Sequence, residues 1–362
     1  MPETVSALDL VRSEVRSIQS TAEVAGQGFQ ARLLANESSF NPAFLLRQLL
    51  GDPNSLEPNR YWLPEVSTPL LDSLSTYVGL PSDHILLGNG ADELILSTLL
   101  TFVRPGDSIV MAWPSYPMYP YLTQMLGMNT IKVPLCADFS LDTEALLDAA
   151  RENRSPVIIL ANPNNPTGNL FDPGAIARLL KDSNSMVVVD EAYFEYCQQS
   201  VQHLIGKCDR LIIWRTFSKA FSLAGMRIGY LLAQPQVVAE LYKTRLPFDI
   251  SNLSQWMARA VLGQRAVFQN HVQVTIAERE RVRRQMLEIP GVTVFPSVTN
   301  FLLFKTGLPT QLVYEGLRDR SVLIRQVEQA SPLLTGCLRV SIGSPAENDL
   351  FIRALRQTIS SP

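Results

Sequence analysis

Histidine and cysteine are scarce in this chain, with three of the former and four of the latter in 362 residues. The histidines, His84, His203 and His271, lie far apart in the sequence. A zinc centre would need Cys197, His203 and Cys208, whose spacing fits none of the usual finger or ribbon patterns; they read as ordinary residues, and no metal is expected. Four cysteines in a chain this long make no disulfide framework, which points to a reducing compartment. Positive charge is not in excess either. Lys and Arg number 31 against 34 Asp and Glu, for a formal charge of −3, which leaves no global basic field for nucleic acid. No run of about 18 uninterrupted apolar residues occurs, so no membrane span is expected. The opening MPETVSALDLVRSEV carries early acids and no apolar core, so no signal peptide is visible. What the chain does have is 46% hydrophobic against 18% charged residues, enough for a sizeable core and incompatible with wholesale disorder. Its length suggests about two or three domains. The expectation is a soluble cytoplasmic protein, an enzyme.

No fixed-period repeat and no low-complexity segment interrupts the chain. Its middle alternates short β-branched apolar runs with longer helical patterns. Ile85–Leu87, Ile109–Ala112, Val157–Ala161, Met186–Val189 and Leu211–Trp214 read as buried strands; Ala175–Lys181 and the run after Glu93 read as helices. This alternation predicts an α/β domain with a mostly parallel sheet flanked by helices. The last hundred or so residues differ. A charged helix over Ile276–Glu288 leads into short runs at Val292–Phe295, Phe301–Phe304, Val322–Ile324 and Leu338–Ser341, the pattern of a smaller α+β domain. Pro247 and the polar DISN after it suit a boundary. The expected division is an N-terminal segment (1–32) packing on the small domain, a large domain (33–250), and a small C-terminal domain (251–362).

Each presumed strand ends in a polar cluster. The clusters are Gly88-Asn89-Gly90-Ala91-Asp92-Glu93, an aromatic string from Trp113 to Tyr119, Asn162 to Gly168, Asp190-Glu191-Ala192-Tyr193, and Arg215-Thr216-Phe217-Ser218-Lys219. Turn chemistry explains any one of them, but explains all five poorly. In open α/β sheets ligands bind outside the carboxyl ends of the strands, so five clusters would converge on one crevice. The two glycines of GNGADE precede a helix start whose free N–H groups can hold an anion such as phosphate, with a hydroxyl from Ser218 and a guanidinium from Arg227. Asp190 closes a fully apolar strand, where a lone carboxylate is costly; a protonated pyridine nitrogen would serve as its partner. Lys219 sits among small and apolar residues, where an amine of lowered pKa can attack a carbonyl to form a Schiff base. Asn165 and Tyr193 can serve a ring oxygen, and Tyr116 can stack on a ring. Together these groups are what pyridoxal 5′-phosphate requires. A nicotinamide reading fails because GxGxxG is absent.

At this point the residues resemble the fold-type I pyridoxal-phosphate aminotransferases, and more narrowly their histidinol-phosphate aminotransferase branch. The matching motifs are GNGADE (88–93), NPNNPTG (162–168), DEAY (190–193), RTFSKAFSLAGMRIGY (215–230), SNLSQ (251–255), NFLLF (300–304) and GCLRVSIG (336–343). They stand in the family's order and cover roughly residues 33–355. The resemblance implies that Lys219 forms the aldimine and shuttles the proton, and that Asp190 keeps the ring nitrogen protonated. It implies that Asn165 and Tyr193 bind the ring oxygen, that Tyr116 stacks, and that Ala91, Asp92, Ser218 and Arg227 hold the phosphate. Tyr61 matches a tyrosine that reaches the cofactor of the neighbouring subunit, which implies a homodimer with shared active sites. Arg339 matches the arginine for the substrate carboxylate, and Arg325 a second arginine suited to a phosphate. The activity implied is ping-pong transamination of L-histidinol phosphate with 2-oxoglutarate, in histidine biosynthesis.

Three departures stand out. The stretch Val15–Gly26 has no tyrosine where the family carries a Pro-Tyr pair, the usual NENP appears as Asn36-Glu37-Ser38-Ser39, and RYPDP as Arg60-Tyr61-Trp62-Leu63-Pro64. An aromatic amino-acid aminotransferase or a threonine-phosphate decarboxylase therefore remains open beside the main reading. A DNA-binding regulator built on the same fold would need an appendage, and residues 1–30 are too short and insufficiently basic for one.

Overall fold

The computed structural model describes residues 10–18, 28–50, 59–61 and 64–360. The tyrosine-free stretch beyond Ile18 as far as Gly26, and Trp62 and Leu63 of the RYWLP turn, lie outside the described residues. From the N-terminus, α1 (Ser13–Arg16) and β1 (Ala31–Arg32) precede α2 (Ala43–Leu50) and α3 (Pro64–Val78). Strand and helix then alternate through β2 (Ile85–Gly88), α4 (Ala91–Phe102), β3 (Ser108–Trp113), α5 (Met118–Met125), β4 (Asn129–Pro134) and α6 (Thr143–Glu152). The series continues with β5 (Val157–Ala161), α7 (Pro173–Asp182), β6 (Met186–Asp190), α8 (Phe194–Cys197), β7 (Leu211–Thr216) and β8 (Gly229–Leu232). Helices α9 (Pro235–Tyr242), α10 (Asn252–Gly263) and α11 (Arg265–Leu287) follow. The C-terminal region holds β9 (Thr293–Val294), β10 (Phe301–Lys305), α12 (Thr310–Arg318), β11 (Val322–Leu323), β12 (Arg325–Gln326), β13 (Cys337–Ser341) and α13 (Pro345–Ser360).

Among the described residues the large sheet has seven strands in the order β2-β8-β7-β6-β5-β3-β4. The pairs from β7 across to β4 are parallel, and only β8 runs antiparallel to both its neighbours. This is the expected mostly parallel α/β sheet. Runs such as VIILA and MVVVD can be strands here because helices cover both faces. Successive residues alternate between two cores. Ile158, Leu160, Val187, Val189 and Ile213 meet Leu70, Leu74, Leu146, Ile176 and Leu179 on one side. Ile159, Val188 and Ile212 meet Leu94, Ile95, Leu122 and Leu241 on the other. Helix starts are fixed locally: Asp142 and Asp172 each accept a hydrogen bond from an N–H of the first turn, and Pro173 occupies the position where no N–H is needed.

A second, antiparallel sheet, β12-β13-β10-β9, packs with α12, α13 and the C-terminal half of α11 around Val282, Met286, Leu302, Val340 and Phe351. The described N-terminal residues pack in two places: strand β1 pairs in parallel with β11, whereas α1 docks on α5 through Arg12 to the Met125 carbonyl and Gln124 to Ser17. Helix α10 follows the expected boundary, yet Met257, Ala258 and Val261 join the core on the α3 face of the large sheet. Helix α11 begins at Arg265, ahead of the charged stretch, because Phe268 and Val272 give its first turns an apolar face to bury. Among the described residues no helix is long and apolar enough to cross a membrane.

Candidate active site

The carboxyl ends of β3, β5, β6 and β7 lie side by side, with Ala161 paired to Asp190 and Asp190 to Trp214. They open on a cleft of about 370 Å³ closed on its far side by residues 34–37 and by Arg325 and Arg339 of the small sheet. Eleven of the twelve residues expected at the site line it: Ala91, Asp92, Tyr116, Asn165, Asp190, Tyr193, Ser218, Lys219, Arg227, Arg325 and Arg339. The twelfth, Tyr61, is 76% exposed and stacks on Phe248 at 4.5 Å, away from the cleft.

One end of the cleft is built for an anion. Helix α4 starts at Ala91 behind Gly90, whose φ of 82° favours glycine, and no side chain caps the first turn. A Cβ at Gly90 would lie 2.6 Å from Arg227 Nη2, so the bare backbone lets the guanidinium close in. Arg227 donates to Asp92 Oδ2 at 3.0 Å, and the Tyr116 hydroxyl donates to Oδ1 at 3.2 Å. Ser218, with its N–H on Thr216, lines the same end.

At the floor, Lys219 Nζ donates to the Ala35 carbonyl at 2.8 Å. Burial, with Arg339 nearby, lowers the Lys219 amine to about 8. An amine poised there is a nucleophile near neutral pH. In cofactor-free protein, labelling of Lys219 by an acylating reagent is expected to rise about tenfold per pH unit up to about pH 8 and then level off. Mass spectrometry of the labelled peptide checks this; a rate still climbing at pH 10, as for a surface lysine, would contradict it. The sign for stability follows. The unfolded chain holds this proton up to its ordinary 10.5, so this group adds stability as pH rises from about 8 to 10.5 and withdraws it on return.

Asp190 is buried at the end of β6, with Ala192 N–H on Oδ1 at 3.0 Å and the Tyr119 hydroxyl on Oδ2 at 2.6 Å. Burial pushes its carboxyl up to about 6 against those two hydrogen bonds. Tyr193 accepts a hydrogen bond from Asn36 at 2.9 Å and keeps its own proton to donate; burial holds that phenol above its ordinary range. Asn165 Oδ1 accepts from Arg339 Nη1 at 2.5 Å, leaving its amide N–H groups as what it offers a ligand. Arg339 also donates to the Leu34 carbonyl at 2.6 Å, while its buried Nε has no partner among the described residues. Burial and the neighbouring Arg325 lower the Arg339 guanidinium to about 10.

Two side chains of the site were not anticipated by sequence reasoning. Asn36 bonds Tyr193 and Ser341, partners 157 and 305 residues away; the motif it opens, Asn36-Glu37-Ser38-Ser39, gave no role for its side chain. Tyr119 bonds Asp190 from one turn beyond Tyr116, the spacing that sets two residues on one helix face; that was the available signal.

Comparison with known proteins agrees with this geometry. A family model described as aminotransferase class I and II matches residues 57–355. The histidinol-phosphate aminotransferase of Thermoanaerobacter pseudethanolicus is 34% identical over 352 residues, covering 97% of this chain and 99% of that protein. Histidinol-phosphate aminotransferase 1 of Ralstonia nicotianae is 37% identical over 357 residues, covering 97% and 94%. The crystal structure of histidinol-phosphate aminotransferase from Sinorhizobium meliloti in complex with pyridoxal-5′-phosphate matches with a TM-score of 0.88 at 28% identity, over 98% of this chain and 99% of that one. Fold and matches define an enzyme of the fold-type I aminotransferase class. The chain belongs to the aminotransferase class I and II family, in its histidinol-phosphate aminotransferase branch.

Proposed function

We propose that the protein transfers the amino group of L-histidinol phosphate to 2-oxoglutarate with pyridoxal 5′-phosphate, as a cytoplasmic homodimer. The observation that carries the substrate reading is the register of β12 on β13, which sets Arg325 directly opposite Arg339 at the cleft. Like charges opposite each other in a ladder repel, and an anionic substrate group between them removes that cost. The cleft fits the cofactor on four counts: the start of α4 with no side-chain cap among the described residues, the lowered Lys219 amine, the buried Asp190 carboxylate held by a phenol and a backbone N–H, and the Nε of Arg339, unpartnered among the described residues.

When bound, pyridoxal phosphate supplies a carbonyl for amines and a ring that takes up the electron pair left at the substrate Cα. The N–H groups of Ala91 and Asp92, with Ser218 and Arg227, would hold its phosphate. Asp190 would hold the proton on its ring nitrogen, Asn165 and Tyr193 would donate to its ring oxygen, and Tyr116 would cover its face. Lys219 Nζ takes the proton from the substrate Cα and returns it on the other side of the reaction. The exposed Tyr61–Phe248 stack supports a site completed across the dimer, with Tyr61 reaching the partner's phosphate.

Arg339 is assigned the α-carboxylate of 2-oxoglutarate and Arg325 the phosphate of the donor. Arg339→Ala is therefore expected to slow the 2-oxoglutarate half-reaction by about 10²-fold or more, and the histidinol-phosphate half-reaction by about tenfold or less. Stopped-flow measurement of each half-reaction decides; equal losses would refute the split. The reading as a whole is tested by the visible spectrum of the purified protein before and after L-histidinol phosphate alone. Conversion to the pyridoxamine form is expected. No cofactor band after adding pyridoxal phosphate would sink the cofactor, and a band unmoved by the donor would sink the substrate.

A further inference from the structure

Behind Asp190 stands a phenol with no assigned part in the proposed chemistry. Tyr119 lies on α5, fully buried, with its ring edge-on to Tyr116 at 5.5 Å and tilted against Trp214 at 6.1 Å. Thr123 Oγ1 donates to its carbonyl at 3.0 Å. So enclosed, the hydroxyl is held on Asp190 Oδ2, while the backbone N–H of Ala192 holds Oδ1. The carboxylate thus has both oxygens fixed, and the plane it presents to the cleft is set by two donors from different elements.

The titratable groups facing Asp190 are unfavourable to its charge. They are Asp92 at the start of α4 and its neighbour Glu191, while the phenols Tyr116, Tyr119 and Tyr193 stand close by and are themselves pushed up by the carboxylate. Desolvation acts in the same direction. Only the hydrogen bonds from Tyr119 and Ala192 favour the charged form. A hydroxyl donating to a buried carboxylate makes one of the stronger kinds of hydrogen bond, and it donates more strongly to the anion than to the acid.

We propose that Tyr119 is a positioning residue that keeps Asp190 ionised and aimed into the cleft, ready to meet a protonated heterocyclic nitrogen. This deepens the cofactor reading and rests on it. Without the phenol, Asp190 would meet the ring as a neutral acid over part of the working pH range, and the pull on the proton of the ring nitrogen would weaken.

The test uses cofactor-free protein labelled with ¹³C in the aspartate carboxyl groups, the Asp190 signal being the one lost in Asp190→Asn. In Tyr119→Phe the midpoint of that signal is expected to move up by about one to two pH units. The dissociation constant for pyridoxal phosphate, by equilibrium dialysis near neutral pH, is expected to rise about tenfold. A properly folded variant whose midpoint stays within about 0.3 of the wild type overturns the proposal. If Tyr119→Phe fails to fold, 3,5-difluorotyrosine placed at position 119, a stronger donor of nearly the same shape, should move the midpoint down; an unchanged or higher midpoint overturns it. The two readings fail separately. Wild-type protein that binds no pyridoxal phosphate refutes the cofactor, whereas normal cofactor binding with an unmoved Asp190 midpoint refutes only the part given to Tyr119.

Discussion

Lys219→Ala is expected to lower turnover by about 10⁴-fold or more, with no loss of folded protein. Lys219 is the only primary amine among the described residues that line the cleft. No neighbour can replace it as the base at the substrate Cα. Arg227, Arg325 and Arg339 present guanidinium groups, which are hydrogen-bond donors with no acceptor to offer a proton. Tyr193 is a phenol that burial holds above its ordinary range, and Asp190 is committed to Tyr119 and Ala192. The same burial that activates the amine makes its charged form a burden on the fold near neutral pH, so removing it is expected to leave thermal stability equal or improved. Steady-state rates with a matched melting curve check both halves. Turnover at the wild-type rate would show that another group carries the proton.

Arg215→Ala is expected to cost about 3–5 kcal/mol of stability. Arg215 and Glu191 are both almost wholly buried, with Arg215 Nε and Nη2 on Glu191 Oε2 at 3.0 and 2.8 Å. Arg215 Nη2 also donates to Ser200, and its guanidinium lies 3.9 Å from the Phe194 ring centroid. Glu191 in turn accepts from the Val201 N–H at 2.9 Å, which ties down the turn carrying Asp190 and Tyr193. Glu195 stands close by, already pushed up to about 7 by burial despite the attraction of Arg215. Removing the guanidinium leaves two buried acids facing a void. The deficit should shrink as pH falls toward 5, because Glu195, already raised by burial and deprived of the guanidinium, can then take up a proton. Urea unfolding of the cofactor-free protein measures the effect. A loss below about 1 kcal/mol, or one independent of pH, would mean the pair does not hold the turn.

Much of the large domain was legible because β-branched runs such as Met186–Val189 are too short for helices and too apolar for a surface. Strands β4 and β8 were not legible. The first, NTIKVP, is partly exposed at the sheet edge, and the second lies inside a motif whose glycine obscures its pattern. That β8 runs antiparallel is a fact of chain path, which a hydrophobic run does not encode. Nor does an apolar stripe name the core it will meet, and only the folded chain shows α10 packed on the α3 face of the large sheet. The site was legible for a different reason. Most of its residues follow directly on strands whose ends converge, so local clusters became one cleft. Asn36 and Tyr119 matter through contacts across 157 and 71 residues, which only the folded chain supplies.

Residues 34–36 serve the cleft through their peptide groups, to which Asn36 adds its side chain. Their three successive carbonyls accept from Arg339 on β13, Lys219 beyond β7 and Asn300 ahead of β10. Side-chain identity at Leu34 and Ala35 is irrelevant to those acceptors. Spacing is another matter. Inserting or deleting one residue there would carry each carbonyl past its donor and loosen Arg339, Lys219 and Asn300 in one step. The constraint is written in the length of the chain, a quantity that substitution alone never probes.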